Sequence, residues 1–353
     1  MGSFSVGIIG CGRIGGDCGS PDEGSSRLES HASAYKAWGH TNLVAGCDSD
    51  ENVRRRFGEK WGITPLYEDY REMLEQEELG LVSVCTPAFN HDEIMTELLA
   101  CKTVQGILLE KPVAPDVSAA TKIIRDMQSS SAIVAVNYVR RYSSSYVEVY
   151  DMIRSGALGR IQHVCGLYTK GVLNNGSHFI DLLRFFFGEP ESLQVFPSAS
   201  THSRSFDPNS ECNNGNGQDP TPNFSFTYAE GFEALGVGLD HTAFNVFDVD
   251  IIGTKGRVVF TDLGHRRLLY QREETKARHG FRQLAPEPEI SATDLTKATS
   301  GAIKNLTDSI ERGHAPRCTL EDGRAAMALS LELAEMSANE MWSDREMPTP
   351  ETR

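Results

Sequence analysis

The chain has 353 residues, more than one hydrophobic core usually serves, so two domains are expected. Its formal net charge of -15 at pH 7 disfavours nucleic acids and anionic membrane surfaces as partners, because long-range repulsion opposes their approach. No apolar run approaches the roughly 18 residues that span a membrane, and no signal peptide is recognisable. The 8 cysteines lack paired, metal-type spacing, so we expect no metal site, reduced thiols and a cytoplasmic protein.

Strand and helix patterns alternate along the first third of the chain. Helices are predicted from Glu93 to Ala100 and from Ser118 to Met127, where apolar residues recur at helical spacing. Alternating β and α units predict a doubly wound parallel sheet with helices on both faces. The predicted strands are Val6 to Ile9, Leu43 to Cys47, Leu81 to Cys85, Val104 to Leu109 and Ala132 to Val136.

A glycine loop, Gly10-Cys11-Gly12-Arg13-Ile14-Gly15, follows the first predicted strand and should open a helix. This is the context that a dinucleotide-binding fingerprint needs. Gly10 and Gly12 allow a tight turn and a close approach to a pyrophosphate, and Gly15 allows close packing of helix and strand. The loop, including Arg13 and Ile14, is therefore a predicted cofactor site.

Asp48 ends the second predicted strand, where a carboxylate can bond both ribose hydroxyls of an adenosine and repel a 2′-phosphate. It favours NAD over NADP. Two alternatives to this role are that Asp48 is an ordinary turn aspartate and that Arg54 to Arg56 bind a phosphate. The unusual distance from the glycine loop is explained by a polar insertion, Gly16 to Ser26, which is either a plain surface loop or a lid.

Lys111 stands in Glu110-Lys111-Pro112, directly after the fourth predicted strand. Open α/β sheets place their ligands at the carboxyl ends of strands, so this lysine is expected beside the cofactor. A neutral amine there can accept a hydroxyl proton, and the positive charge of an oxidised nicotinamide favours the neutral form. Lys111 is therefore the predicted catalytic base.

The pattern changes after Asn137, and an antiparallel sheet is expected because strands follow one another through short turns. A polar stretch from Thr201 to Asn223 is predicted to be a long loop. Helices are predicted from Ser144 to Arg154, His178 to Phe187, Gly301 to Arg312 and Asp322 to Ala338, and strands from Ile161 to Leu167, Phe224 to Thr227, Ala234 to Leu239, Phe244 to Ile252 and Arg257 to Thr261.

The chain resembles the glucose-fructose oxidoreductase / inositol dehydrogenase (Gfo/Idh/MocA) family. The resemblance rests on the glycine loop, Thr86-Pro87 with Asn90-His91, Glu110 to Val113, Gly156 to Ile161, Gly176 to Asp181 and Gly253 to Gly256. It implies an N-terminal Rossmann domain, residues 1–136. It also implies a C-terminal α/β domain, residues 137–353, whose large, mostly antiparallel sheet binds substrate and commonly mediates dimers or tetramers.

The resemblance also implies roles for individual residues. Thr86, Pro87, His91 and Glu110 would join the cofactor site, and the Lys111-Pro112 bond is often cis. His178 would share the proton chemistry with Lys111. The family commonly carries an aspartate four residues before this histidine, but this chain has Asn174, which can bond a hydroxyl but cannot take its proton.

The resemblance makes three further residues candidates for substrate binding, namely Tyr138, Arg141 and Asp181. For Arg141, an ion pair that joins the two domains is an equal alternative to substrate binding. For Asp181, a structural role is an equal alternative. The expected function is NAD-dependent hydride transfer to or from a ring carbinol of a sugar, cyclitol or sugar nucleotide. Two alternatives stay open, namely an NAD-dependent glycosidase with a redox relay and a non-catalytic dinucleotide sensor.

Overall fold

The computed structural model describes residues 3–17, 29–196, 219–274 and 280–342, with side chains as far as residue 339. In these ranges the first sheet has six strands in the order β3-β2-β1-β4-β5-β6, and every pair is parallel. The predicted Rossmann sheet is confirmed. Its strands are β1 (Phe4–Ile9), β2 (Thr41–Cys47), β3 (Leu66–Tyr67), β4 (Leu81–Val84), β5 (Gly106–Leu109) and β6 (Ile133–Val136).

The order of strands reverses between β1 and β4, and ligands of open α/β sheets bind outside the strand ends at such a point. Helices connect the strands, and several begin at an aspartate whose side chain accepts backbone N–H groups, as Asp50, Asp69 and Asp116 do. They are α1 (Arg13–Gly16), α2 (His31–Ala37), α3 (Glu51–Trp61), α4 (Tyr70–Gln76), α5 (His91–Ala100) and α6 (Val117–Met127).

The second sheet has nine strands among the described residues and is antiparallel apart from the parallel pair β7 and β10. Its path is β14-β13-β12-β11-β7-β10-β9-β8, and β15 pairs with β13. The mostly antiparallel sheet is confirmed. Its strands are β7 (Ile161–Tyr168), β8 (Ser192–Phe196), β9 (Asn223–Thr227), β10 (Glu233–Gly238), β11 (Phe247–Gly253), β12 (Gly256–Thr261), β13 (Arg266–Glu274), β14 (Arg282–Leu284) and β15 (Glu289–Ala292).

Four more helices complete the second half: α7 (Ser144–Arg154), α8 (Ser177–Phe187), α9 (Ala298–Arg312) and α10 (Leu320–Trp342). A π-helical turn, Gly171–Gly176, runs directly into α8. Along β11 and β12 buried and partly exposed residues alternate, so one face of the second sheet is covered. The turn and α8 therefore stand where the second domain meets the first.

The two sheets have separate hydrophobic cores, but the C-terminal helices do not stay with the second sheet. Ile303 and Leu306 of α9, and Met327 of α10, belong to the core of the parallel sheet. Leu333, further along α10, belongs to the other core. The proposed division into residues 1–136 and 137–353 thus separates the sheets, whereas the first core is completed by residues from the end of the chain.

Several local predictions were wrong or incomplete. The glycine loop opens a helix of only four residues, because Asp17 leaves it in a left-handed conformation (φ 53°). The short β3 and the strands β8, β13, β14 and β15 were missed. Most of the predicted insertion Gly16 to Ser26, and the predicted loop Thr201 to Asn223 up to residue 218, lie outside the described residues.

In the described part of the chain, no helix is long and apolar enough to cross a membrane. Within the same ranges, no group of three or more metal-ligating side chains comes together. The cysteines at positions 11, 47, 85, 101, 165 and 318 are free thiols.

Candidate active site

The glycine loop lies at the point where the strand order reverses. Gly10 has a φ of 89°, and a Cβ there would lie 2.7 Å from the Cys85 carbonyl carbon. A Cβ on Gly15 would lie 1.9 Å from the Gly10 oxygen, whereas one on Gly12 would meet no atom of the described residues within 4 Å. Gly10 and Gly15 are therefore required by packing, and Gly12 faces open space, which fits a loop that admits a pyrophosphate. Arg13 is exposed and Ile14 is half-buried beside it.

Asp48 directly follows β2 and is tied to the glycine loop. Its Oδ2 accepts the Cys11 N–H at 2.8 Å, and its Oδ1 accepts the Asp50 N–H at 3.0 Å. The carboxylate is partly exposed and held in one orientation, as a ribose ligand must be. Arg54, an alternative phosphate ligand, donates from Nη1 to the backbone oxygens of Asp48 and Ser49 at 2.6 and 3.0 Å.

His91 needs a correction, because its side chain is completely buried. Its ring nitrogens lie 3.0 Å from the Pro112 oxygen and 2.8 Å from the Thr86 oxygen. Burial lowers its pKa, although the two carbonyl oxygens and Glu110 act in the opposite direction. His91 therefore fixes the loops carrying Thr86 and Pro112 to each other, and it does not reach into the cofactor site.

Glu110 belongs to a buried polar network. Its Oε1 lies 2.9 Å from His31 Nε2 and accepts from Asn137 Nδ2 at 2.6 Å. Beyond it, the Ser83 hydroxyl bonds His31 Nδ1 and the Tyr35 hydroxyl, each at 2.8 Å. Burial acts to raise the pKa of Glu110, but the bonds from His31 and Asn137 outweigh it and lower the pKa.

This network anchors the strand end that presents Lys111. Sequence reasoning missed His31, Ser83 and Asn137, because they come from three distant segments with no shared motif. Glu110 is turned into the network, so its predicted cofactor contact is replaced by a role in fixing the backbone before Lys111.

Lys111 reaches across from the end of β5 to the second domain. Its Nζ donates to Asn174 Oδ1 at 2.9 Å, and the Lys111-Pro112 peptide bond is cis. Asn174 lies in the π-helical turn before α8. The structure thus brings together the predicted base and the residue that departs from the expected aspartate.

His178 stands beside this contact at the start of α8 and is partly exposed. Its ring packs edge-on against Tyr138, with ring centroids 5.6 Å apart. Burial, together with the positive charges of Lys111 and Arg140, lowers the pKa of His178 well below its usual value. The imidazole is therefore neutral at physiological pH and can both donate and accept a hydrogen bond.

Arg141 and Asp181, both substrate-binding candidates, are instead bound to each other. Arg141 Nε lies 3.0 Å from both carboxylate oxygens, and Nη2 lies 2.8 Å from Oδ1. Arg141 also approaches Asp322 at 3.3 Å and donates to the Arg317 oxygen at 3.2 Å. Both side chains are buried, so this cluster joins α8 to the C-terminal segment. A structural role is the alternative considered for Asp181, whereas the ion pairs of Arg141 lie within residues 137–353 and do not join the two predicted domains.

Two further charged residues, Arg140 and Asp219, lie near Lys111 and His178. Arg140 is buried with its guanidinium 3.6 Å from the centroid of the Phe247 ring. Asp219 places its carboxylate against the π-helical turn, accepting the N–H groups of Leu173 and Asn174 at 2.8 and 2.9 Å. Asp219 follows the polar stretch, and no sequence motif marks it.

Several known proteins resemble this chain in sequence. A sequence model described as an oxidoreductase family with an NAD-binding Rossmann fold matches residues 4–138. Myo-inositol 2-dehydrogenase of Thermotoga maritima is 25% identical over 92% of this chain and 93% of that protein. D-glucoside 3-dehydrogenase of Escherichia coli is 26% identical over 47% of this chain and 52% of its own.

Solved structures share the fold. Levoglucosan dehydrogenase in complex with NADH and L-sorbose superimposes with a TM-score of 0.75 at 17% identity, covering 96% of this chain and 98% of that one. An oxidoreductase from Agrobacterium radiobacter in complex with NAD+, L-tartaric acid and magnesium gives a TM-score of 0.73 at 17% identity, covering 96% and 97%. Both likenesses extend through both sheets.

Proposed function

We propose that the chain is a member of the Gfo/Idh/MocA family of oxidoreductases and an NAD-dependent dehydrogenase of a sugar or cyclitol ring carbinol, as the match of residues 4–138 to an oxidoreductase family with an NAD-binding Rossmann fold supports. The observation that carries the proposal is the contact between Lys111 Nζ and Asn174 Oδ1, with His178 beside it. It places a candidate base from one domain among polar side chains of the other. The names of the relatives, inositol and glucoside dehydrogenases, support this substrate class.

The glycine loop and Asp48 would hold NAD, since Gly12 faces open space and the Asp48 carboxylate is fixed towards the loop. The chemistry that bound NAD would supply there is a hydride acceptor for the carbinol carbon. Lys111 takes the hydroxyl proton onto Nζ, so the O–H bond breaks as the carbonyl forms. Asn174 orients Lys111 through their hydrogen bond, and the neutral His178 donates a hydrogen bond to a ring hydroxyl or to the developing carbonyl oxygen.

A substrate panel tests the proposal. Purified protein is incubated with NAD and with cyclitols, free sugars, glycosides, sugar phosphates and sugar nucleotides, and the absorbance of NADH is followed. We expect stoichiometric NADH from at least one ring polyol. Turnover of a glycoside without net NADH would instead support the redox-relay alternative. Binding of NADH without turnover of any compound would support a sensor.

A further inference from the structure

Asp219 occupies a place that the chain has built for a carboxylate. Its two oxygens accept the N–H groups of Leu173 and Asn174. Gly171 has a φ of 79°, and a Cβ on it would lie 2.0 Å from Asp219 Cγ, so only glycine leaves room. The neighbouring residues hold the same segment, since Val172 N–H donates to the Pro220 oxygen at 2.7 Å. The carboxylate is thus fixed under the turn that carries Asn174.

Asn174 links this carboxylate to Lys111. Its side-chain oxygen accepts from Lys111 Nζ at 2.9 Å, and its backbone N–H donates to Asp219 Oδ2 at 2.9 Å. Burial raises the pKa of Asp219 to about 7, against the opposing effects of the two N–H groups and of the Lys111 charge. Both charge states of Asp219 are therefore populated near neutral pH, where the enzyme must work.

We propose that Asp219 is the carboxylate that serves Lys111 in this chain, where position 174 carries only an amide. The proposal rests on the proposed function, in which Lys111 accepts the hydroxyl proton. As the N–H bond forms at Lys111 Nζ, positive charge develops there, and ionised Asp219 stabilises it. Asp219 acts through Lys111 without contacting the reacting atoms, so it is a positioning residue.

Among the described residues, the titratable and charged groups around Asp219 can be named. Tyr168 is the titratable neighbour on β7, and its pKa is raised well above the usual value by burial and by the Asp219 charge. Beyond Lys111 lie Glu110, held by its buried network, and the basic pair His178 and Arg140. Tyr168 stays neutral and Arg140 stays charged around pH 7, so Asp219 is the group expected to change charge there.

The kinetic test compares two variants with the wild type between pH 6 and pH 8.5. In Asp219→Asn, kcat should fall by about tenfold at pH 8, the change that one pKa unit of interaction represents, and much less at pH 6, where wild-type Asp219 is mostly protonated. The control is Thr221→Val, which removes the hydroxyl that accepts the Gly171 N–H at 3.1 Å in the same segment. The ratio of the kcat of Thr221→Val to the kcat of the wild type should not depend on pH.

A second measurement needs no substrate. Folded Asp219 holds a proton that an unfolded aspartate releases near pH 4, so wild-type stability is lost as the pH rises towards 7. Asparagine does not titrate, and Tm of Asp219→Asn minus Tm of wild type should increase by roughly 3 °C or more from pH 5 to pH 8. NADH binding, measured by fluorescence, shows that each variant is folded. If Asp219→Asn does not fold, Asp219→Ser takes its place.

The outcomes separate the two proposals. If the wild type is active and the ratio of its kcat to that of Asp219→Asn is the same at every pH, the role proposed for Asp219 is contradicted. The proposed dehydrogenase function is not contradicted by that result. A Tm difference that does not change with pH also contradicts it, because Asp219 would then not titrate near 7. A wild type that oxidises no compound on the panel contradicts the proposed function, and the role of Asp219 with it.

Discussion

At the scale of single residues, Lys111 is the first to test. Lys111→Ala should lower kcat by about 10²- to 10⁴-fold, because it removes the base that takes the hydroxyl proton. NADH affinity should stay within a few-fold of wild type, since the glycine loop and Asp48 are untouched. Steady-state kinetics and fluorescence titration measure both. The control is Lys122→Ala, which removes a surface lysine paired with Asp126, and near-normal turnover of Lys111→Ala would rule out the base.

Asp48 is predicted to decide the preference between the two dinucleotides, NAD and NADP. We expect tighter binding of NADH than of NADPH, because a fixed carboxylate binds ribose hydroxyls and repels a 2′-phosphate. Asp48→Ala should narrow this difference in affinity, because the carboxylate that repels a 2′-phosphate is removed. Dissociation constants for both cofactors give the answer, with Asp69→Ala, the N-cap of α4, as the control. Equal affinities in the wild type would contradict the role of Asp48.

His178 and Asn174 should differ in what their loss does. His178→Ala should cut kcat sharply, since it removes the neutral imidazole that is proposed to donate a hydrogen bond to the substrate. Asn174→Ala should mainly raise KM and lower kcat modestly, because the amide orients Lys111 and the substrate but transfers no proton. Steady-state kinetics of both variants test this division, which fails if Asn174→Ala matches His178→Ala in kcat with an unchanged KM.

At the scale of elements, the glycine loop separates packing from binding. Gly15→Ala forces a Cβ to within 1.9 Å of the Gly10 oxygen and should destabilise the protein by about 1–3 kcal/mol, the usual range for overpacking. Gly12→Ala meets no atom within 4 Å and should leave Tm almost unchanged while weakening NADH binding. Thermal unfolding and NADH titration of the pair test this, and equal Tm losses would contradict it.

At the scale of the whole molecule, the buried cluster of Arg141, Asp181 and Asp322 joins α8 to α10, the helix that contributes residues to both hydrophobic cores. Asp181→Asn leaves the buried guanidinium of Arg141 with less negative charge beside it. The free energy of unfolding should fall by about 3–5 kcal/mol, the range seen when one partner of a buried ion pair is removed. Chemical denaturation measures this cost. The control is Glu59→Gln, which breaks an exposed pair with Arg55 and should cost less than about 1 kcal/mol.

A homo-oligomer, dimer or tetramer, stays a prediction from the family resemblance. The second sheet is covered on one face, and the residues of its other face, such as Val259 and Leu268, are partly exposed. Light scattering coupled to size exclusion measures the mass of the assembly in solution.

The sequence by itself determined the architecture and the centre of the site. Alternating apolar strands and helices predicted the parallel sheet, since such periodicity is local. Gly10, Gly15 and Lys111 were recognisable because a glycine loop after a strand and a lysine at a strand end are constrained by backbone geometry close in the chain.

Only the tertiary structure decided which distant groups meet. Arg141 and Asp181 were expected as ligands, but burial makes their mutual pairing the lower-energy arrangement. His31 reaches Glu110, and Asp219 reaches the turn carrying Asn174, across long stretches of chain that no periodicity spans. The two-residue β3 was missed for the same reason, and so was the packing of the C-terminal helices, themselves predicted, against the first core. Their positions depend on which surfaces remain to be covered once the sheets have formed, and no local pattern encodes that.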